Sequence, residues 1–204
     1  MRASPGHFEI RPDWLARYDE PAFEPDRPVI DTHHHLYQRK SIRYLLDEYL
    51  EDIAGPHDIR ASVMVQARAM LRADGPVELQ TLGEAEFANG MAAMSASGIY
   101  GPCRVAAAFV AHADLMLGSR VREVLEKLVM ASGGTTREGG RLSGIRQPLC
   151  WDSDTTLLNP AYPTTANMIE SPDFIAGFAE LARDRKSTRL NSSHIQKSRM
   201  PSSA

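Results

Sequence analysis

Pro28-Val29-Ile30-Asp31-Thr32-His33-His34-His35-Leu36 decides how the rest of this chain is read. A short apolar run leads directly into a cluster of polar, metal-competent side chains, as in a strand whose C-terminal end opens on a site. Side chains alternate along a strand, so His33 and His35 are expected to project together, with Asp31 sharing their parity and His34 facing away. Two imidazoles on one face suit a divalent metal, with zinc the usual choice. A lone His-x-His is common in solvated loops. Its place directly after an apolar strand, headed by Asp31-Thr32, gives this one its weight.

Working outward, the chain alternates strand and helix. A helical spacing of Leu45, Leu46, Tyr49, Leu50 and Ile53 predicts a helix over 44–53, stopped by Gly55-Pro56. Residues 61–67 (ASVMVQA) read as a second strand and 104–110 (RVAAAFV) as a third. Between them lies a long helical stretch over 76–97, with Pro76 suited to its first turn, Gly98 just past its end, and Gly83 and Gly90 as weak points inside. Ser119 can cap a helix carrying Val121, Val124, Leu125, Leu128 and Val129 at i, i+3, i+4, i+7 and i+8, ended by Gly133-Gly134. Residues 142–146 (LSGIR) give a fourth short strand and 172–183 a fourth helix. Four βα units imply a parallel α/β sheet covered by helices. Two architectures compete: a doubly wound open sheet, and the N-terminal half of a (β/α)8 TIM barrel. The first strand leads into a histidine-rich segment and not into a Gly-rich phosphate loop, which favours the barrel.

Composition narrows the function classes. A chain of 204 residues with 43% hydrophobic and 24% charged residues is an ordinary globular sequence. The net charge of −3 offers no basic footprint for nucleic acid or an anionic membrane. The longest apolar run, 105–111, is strand-sized, far short of the ~20 residues of a spanning helix. No secretory signal is apparent, and Cys103 and Cys150 form no close-spaced motif. Both points suit a reducing cytoplasm.

The opening stretch resembles the first strand of the amidohydrolase-related enzymes, whose motif is an Asp followed by His-x-His. Gly83-Glu84-Ala85-Glu86-Phe87, Ala111-His112-Ala113-Asp114-Leu115, Gly144-Ile145-Arg146 and Trp151-Asp152 are further points of similarity, to the branch of sugar-lactone and pyrone-dicarboxylate lactonases. The resemblance covers residues 28–183. It implies that His33 and His35 are metal ligands. It also implies water attack on a lactone, ester or amide carbonyl of a small carboxylate or sugar-derived substrate. The family's other ligands, two histidines and an aspartate that also serves as base, lie on strands five, six and eight. Some lactonases of this branch work without metal, and decarboxylases or hydratases share the fold and the histidine pair. A homo-oligomer is compatible with a full-length protein of this kind.

Other candidates take their roles from placement. Arg146, closing the fourth strand, presents a fork that can hold a substrate carboxylate or lactone oxygen. Trp151 and Asp152, on the next loop, are candidate pocket residues, although an Asp there also suits a loop turn. His112, after the third strand, is a possible proton carrier, with a hydrogen-bonded structural role the commoner outcome. Glu84 and Glu86 are expected on a solvated helix face, His57 in a turn, and Met70, Met91 and Met94 in the core. Residues 1–27, rich in Pro and acid, read as an irregular arm with one short helix, anchored by Trp14 and Tyr18.

Residues 184–204 do not belong to this pattern. They hold six serines and five Lys/Arg against one acid, without periodicity. Asp184 to His194 is what the start of a common sequencing-library adapter encodes, and Ile195 to Ala204 resembles an index and the adapter's continuation. The expectation is translated adapter read-through, with no chemistry at His194. On that expectation the chain stops before strand five, carries half of a site, and leaves two sheet edges open. Such a fragment would be catalytically inactive, and unstable unless two copies pair.

Overall fold

The computed structural model describes residues 11–17, 20–39 and 42–183. Tyr18, the 184–204 segment and His194 lie outside them. The chain runs α1 (Pro12–Leu15), β1 (Pro28–His34), β2 (Tyr37–Gln38), β3 (Arg43–Tyr44), α2 (Leu46–Ile53), β4 (Asp58–Val65), α3 (Leu82–Ala96), β5 (Arg104–Ala111), α4 (Val121–Ala131), β6 (Leu142–Ile145) and α5 (Pro172–Arg183), with short 3-10 turns between. Four strands form one parallel sheet in the order β1-β4-β5-β6, and β2 and β3 pair as a small antiparallel ribbon. This is the mixed α/β architecture that the alternation implied.

The apolar content of the strands explains the core. Phe109, Val105, Met64, Val65, Leu142 and Ile145 are almost fully buried, and Leu115, Val121, Val124 and Leu128 pack with them. The third helix lies on β5 through a stripe of small residues, Ala85, Ala88 and Ala92, which let helix and sheet approach closely. Thr81 Oγ donates to His112 O at one end (2.8 Å), while Ser95 Oγ donates to Cys103 O at the other (2.6 Å). The helix therefore runs antiparallel to β5, with its N-terminal turn at the C-terminal end of the sheet.

Several sequence expectations need correction. The apolar run 28–31 extends as a strand through His34, so His33 and His34 sit on it and His35 just after it. The second helix begins at Leu46, because Arg43-Tyr44 is drawn into the ribbon with Tyr37-Gln38. Pro76 precedes a 3-10 turn over Val77–Leu79 instead of opening α3. Ser119 falls within a second 3-10 segment, Leu115–Arg120, and caps nothing; that segment's own cap is Asp114, whose carboxylate accepts from Met116 N at 3.0 Å. Met91 packs on the core, but Met94 is exposed, because Ala85, Ala88 and Ala92 occupy the buried stripe of α3, and Met70, in the loop after β4, is exposed as well. Trp14 is 53% exposed.

Candidate active site

In a parallel sheet all strands end on one side, and here those ends carry the polar side chains. The residues just beyond β1, β4, β5 and β6 are His35, Gln66, His112 and Arg146. Each is tied to its neighbour. His35 Nδ1 donates to Val65 O (2.8 Å), Gln66 N to Val110 O (2.8 Å), Arg146 N to Ala111 O (2.7 Å), and His112 Nδ1 to Arg146 O (3.0 Å). The two imidazoles thus hold equivalent positions on β1 and β5. A carbonyl can only accept, so in each ring Nδ1 carries the proton and Nε2 keeps its lone pair.

The rings of His33 and His35 meet edge to face, with centroids 5.0 Å apart, as strand spacing requires. The expected parity of Asp31 fails. Its carboxylate accepts from Tyr49 OH (2.9 Å) and from His33 N (3.0 Å), while the His34 ring stacks on the same Tyr49 at 4.2 Å. Strict alternation cannot put residues 31 and 34 on one partner. A bulge explains it: Asp31 pairs with Ser62 but His34 pairs with Met64, so β1 holds one residue more than β4 across that interval. His34 is buried against Ser62 Oγ (2.9 Å), and burial, outweighing Asp31's charge, pushes its pKa down to about 4. It is a neutral core residue facing α2.

A second group surrounds His112. Tyr162 OH donates to Gln66 Oε1 (2.9 Å), its ring meets His112 edge-on at 5.9 Å, and the Arg68 guanidinium lies 5.6 Å from its centre. Arg68, His112, Gln147 and Tyr162 help to line a cavity of about 420 Å³ that also takes in Met116 and Met168. Burial lowers the basicity of both His35 and His112. The charge of Arg146 acts on both in the same direction, joined by Arg39 at His35 and by Arg68 at His112. None of Arg39, Arg68 and Arg146 makes an ion pair among the described residues. Three guanidinium groups thus gather at the end of the sheet, with the charges of Asp114 and Glu84 also felt at His112, Tyr162 and Arg68.

Arg146 closes β6 at the sheet end, as its place in the sequence predicts. Trp151 is half-exposed and Asp152 accepts from Asp154 N (2.8 Å) in a tight turn; neither lines the cavity, and nor do Arg146, His33 and His35, which lie at the same end of the sheet outside it. His57 is exposed beside the start of β4. Glu86 is exposed and paired with Arg72, as expected of a helix surface. Glu84 is not: it is fully buried, its Oε1 accepts from Ala67 N (2.7 Å) and Ala69 N (3.1 Å), and burial pushes its pKa up to about 7. Helical periodicity assigned it to solvent because it could not see the loop after β4 folding over the start of α3. One available signal was Gly83 beside it, a residue needed where backbone approaches closely. Gln66, Arg68 and Tyr162 carried no signal, since a fold is needed to bring residue 162 to residue 66.

As metal donors, His33 and His35 fit. They are two imidazoles at ligand spacing, and the hydrogen bond from His35 to Val65 is the kind of outer contact that orients a ligating ring. Among the described residues no three His, Cys, Asp or Glu side chains gather as a ready cage. No helix among them is long and apolar enough to cross a membrane. No family model, curated protein or solved structure matches the chain.

Proposed function

We propose that this chain belongs to an amidohydrolase-type hydrolase in which His33 and His35 hold a divalent metal, most simply zinc, and Arg146 binds the carboxylate of a small lactone or related ester. The carrying observation is the His35 Nδ1–Val65 O hydrogen bond, which aims the Nε2 lone pair away from the sheet beside the His33 ring. The strand order supports a barrel over a doubly wound sheet. Each strand adds to the same edge in sequence order, whereas a doubly wound sheet reverses direction after its first strands. Neighbouring helices α3, α4 and α5 also touch in succession, as an outer ring requires. The chemistry would then lie where barrel enzymes keep it, at the C-terminal ends of the strands.

A metal held there would polarise the scissile carbonyl and acidify a water molecule. The chain's own groups bind and orient. The guanidinium of Arg146 holds a carboxylate by paired N–H donors. His112, kept neutral by burial and locked in one tautomer, offers an acceptor nitrogen in the cavity wall. Further ligands and a base are required by this reading, and the family places them on later strands. The same residues would equally serve a decarboxylase or hydratase of the same fold.

The test is a screen of the protein with and without added zinc against sugar lactones, pyrone carboxylates and aromatic carboxylic acids, following ring opening and carbon dioxide release separately. Zinc-dependent lactone opening supports the reading, carbon dioxide release replaces it with decarboxylation, and zinc binding without turnover fits an incomplete site. Absence of zinc binding at the His33–His35 pair overturns the metal assignment.

A further inference from the structure

We propose that the cavity lined by Arg68, His112 and Asp114 binds a zwitterionic α-amino acid with an apolar side chain, Arg68 taking its carboxylate and Asp114 its ammonium. His33, His35 and Arg146 lie outside this cavity, so the site stands apart from the metal site proposed above. Residues 67–72 cross the N-terminal turn of α3 and are fastened to it. Glu84 Oε1 accepts from Ala67 N (2.7 Å) and Ala69 N (3.1 Å), and Arg72 N donates to Gln80 O (2.9 Å). Gly83 makes the approach possible, since a Cβ there would lie 2.4 Å from Met70 O. With the amides on either side turned inward, Arg68 takes a left-handed backbone, φ 53°. A non-glycine residue adopts that region only when its surroundings impose it, and such strain gathers at sites that must be held in advance of binding. The guanidinium so placed lies 5.6 Å from the centre of the Tyr162 ring, on the cavity wall.

The cavity holds charges of both signs that do not pair. Arg68, Glu78 and Asp114 all line it, and none makes an ion pair among the described residues. Arg68 and Asp114 act on the same imidazole, His112, in opposite directions. Asp114 Oδ1 is fixed by Met116 N (3.0 Å), and its second oxygen has no hydrogen bond among the described residues. Two residues away, His112 Nδ1 is committed to Arg146 O (3.0 Å), so Nε2 keeps its lone pair. An α-ammonium brings N–H donors to both acceptors, Asp114 and His112, while the carboxylate on the same carbon meets the guanidinium fork of Arg68. A plain carboxylate would leave the Asp114 charge against it, and a plain amine that of Arg68. Glu84, whose charge also reaches Tyr162 and Arg68, is fully buried and engaged with the loop amides, and Glu78 is exposed, so Asp114 is the acid left for the ligand. Leu71, Met116, Leu117 and Met168 supply an apolar wall for the side chain, with methionines that adapt to its shape. A volume of about 420 Å³ falls within the range of small-molecule sites.

The test uses the whole chain, calorimetry as the readout, and L-leucine, isocaproate and isoamylamine as probes; the second lacks the ammonium and the third the carboxylate. L-leucine is expected to bind about tenfold or more tighter than either analogue, as an added charged hydrogen bond does. Arg68→Met should weaken leucine about tenfold or more without weakening isoamylamine. Asp114→Asn, which keeps an acceptor for Met116 N, should weaken leucine by a similar factor without weakening isocaproate. Absence of leucine binding, equal affinity for the three probes, or a variant that leaves leucine at the wild-type level or weakens the spared analogue alike overturns the inference. Should a variant not fold, the comparison of the three probes on the wild type decides alone. His33→Ala is expected to keep leucine within about threefold of the wild type, and a loss of about tenfold there would put the ligand at the histidine pair and overturn the separate site.

Discussion

His35 and Val65 are joined by a 2.8 Å hydrogen bond in which the imidazole Nδ1 is the donor and the strand carbonyl the acceptor. The bond does three things at once. It continues the pairing of β1 with β4 beyond the last regular residue, fixes the ring's tautomer, and leaves Nε2 as the one nitrogen able to take a metal. His34, one residue earlier, has the opposite fate because strand alternation turns it to the other face, into the core against Ser62.

The three consecutive histidines should therefore separate by experiment. His33→Ala and His35→Ala are each expected to weaken zinc by about tenfold or more with small effects on folding, in line with the roughly 10–100-fold cost of lesser changes around metal sites. His34→Ala should leave zinc affinity near that of the wild type and lower stability by about 2–4 kcal/mol, through the lost stack on Tyr49 and the stranded Ser62 hydroxyl. Competitive zinc titration and urea unfolding of the three variants check this; zinc loss in His34→Ala alone would reverse the assignment.

Tyr49→Phe isolates the link between helix and strand. It keeps the ring against His34 but removes the hydroxyl that donates to Asp31 at 2.9 Å. A half-buried carboxylate losing its donor should cost about 1–3 kcal/mol. The urea midpoint should fall with an unchanged slope, and zinc affinity should fall less than in His35→Ala, since Asp31 also holds the His33 amide.

The alternation of apolar runs made four strands and four helices legible, and the last helix was placed to the residue, because Pro172 opens it and its apolar face repeats regularly. Pairing in space was not legible. Nothing local says that Arg43-Tyr44 will desert the following helix for Tyr37-Gln38. The bulge that reassigns Asp31 is a property of two strands in register, invisible in either alone. The site shows the same division. The place of His33, His35 and Arg146 at the sheet end is legible because each stands at or next to the end of a strand, and strand ends can be read. Glu84 was misread because helical periodicity records one helix, while its burial comes from a loop that packs across the helix start. Closeness in sequence to Arg146 does not bring Trp151 and Asp152 to the cavity, which draws instead on Tyr162, Thr165 and Met168 further along the chain.

Two glycines of one helix should respond in opposite directions to the same change. Gly83→Ala would place a Cβ 2.4 Å from Met70 O and 2.6 Å from Arg72 N, both backbone atoms that cannot swing aside. The expected cost is about 1–3 kcal/mol or more, with loosening of the 67–72 loop. At Gly90 a Cβ meets nothing within 4 Å, so Gly90→Ala should stabilise by about 0.5–1 kcal/mol through helix propensity alone. Thermal unfolding of the pair checks this, and similar shifts in both would mean that the loop does not pack on α3 as described.

Acidification pits two buried groups against each other. His34 is held neutral, with a pKa of about 4 against an ordinary 6.5. The unfolded chain therefore binds the extra proton, and stability is lost as pH falls from 6.5 towards 4. His35 and His112, also lowered, add to that loss. Glu84, raised to about 7 from 4.5, works the other way: the folded chain holds the extra proton, and stability is lost as pH rises from 4.5 towards 7. Between pH 4.5 and 6.5 the two largely offset, so the wild type should show a shallow dependence. Removing the carboxyl's titration in Glu84→Gln leaves the histidines unopposed. Relative to the wild type, that variant should gain up to about 3 kcal/mol between about pH 4.5 and pH 7.5, since each unit of pKa difference is worth about 1.4 kcal/mol. Urea unfolding of both proteins at about pH 4.5, 5.5, 6.5 and 7.5 measures the divergence, and parallel curves would mean that Glu84 titrates as an exposed carboxylate and does not fasten the loop.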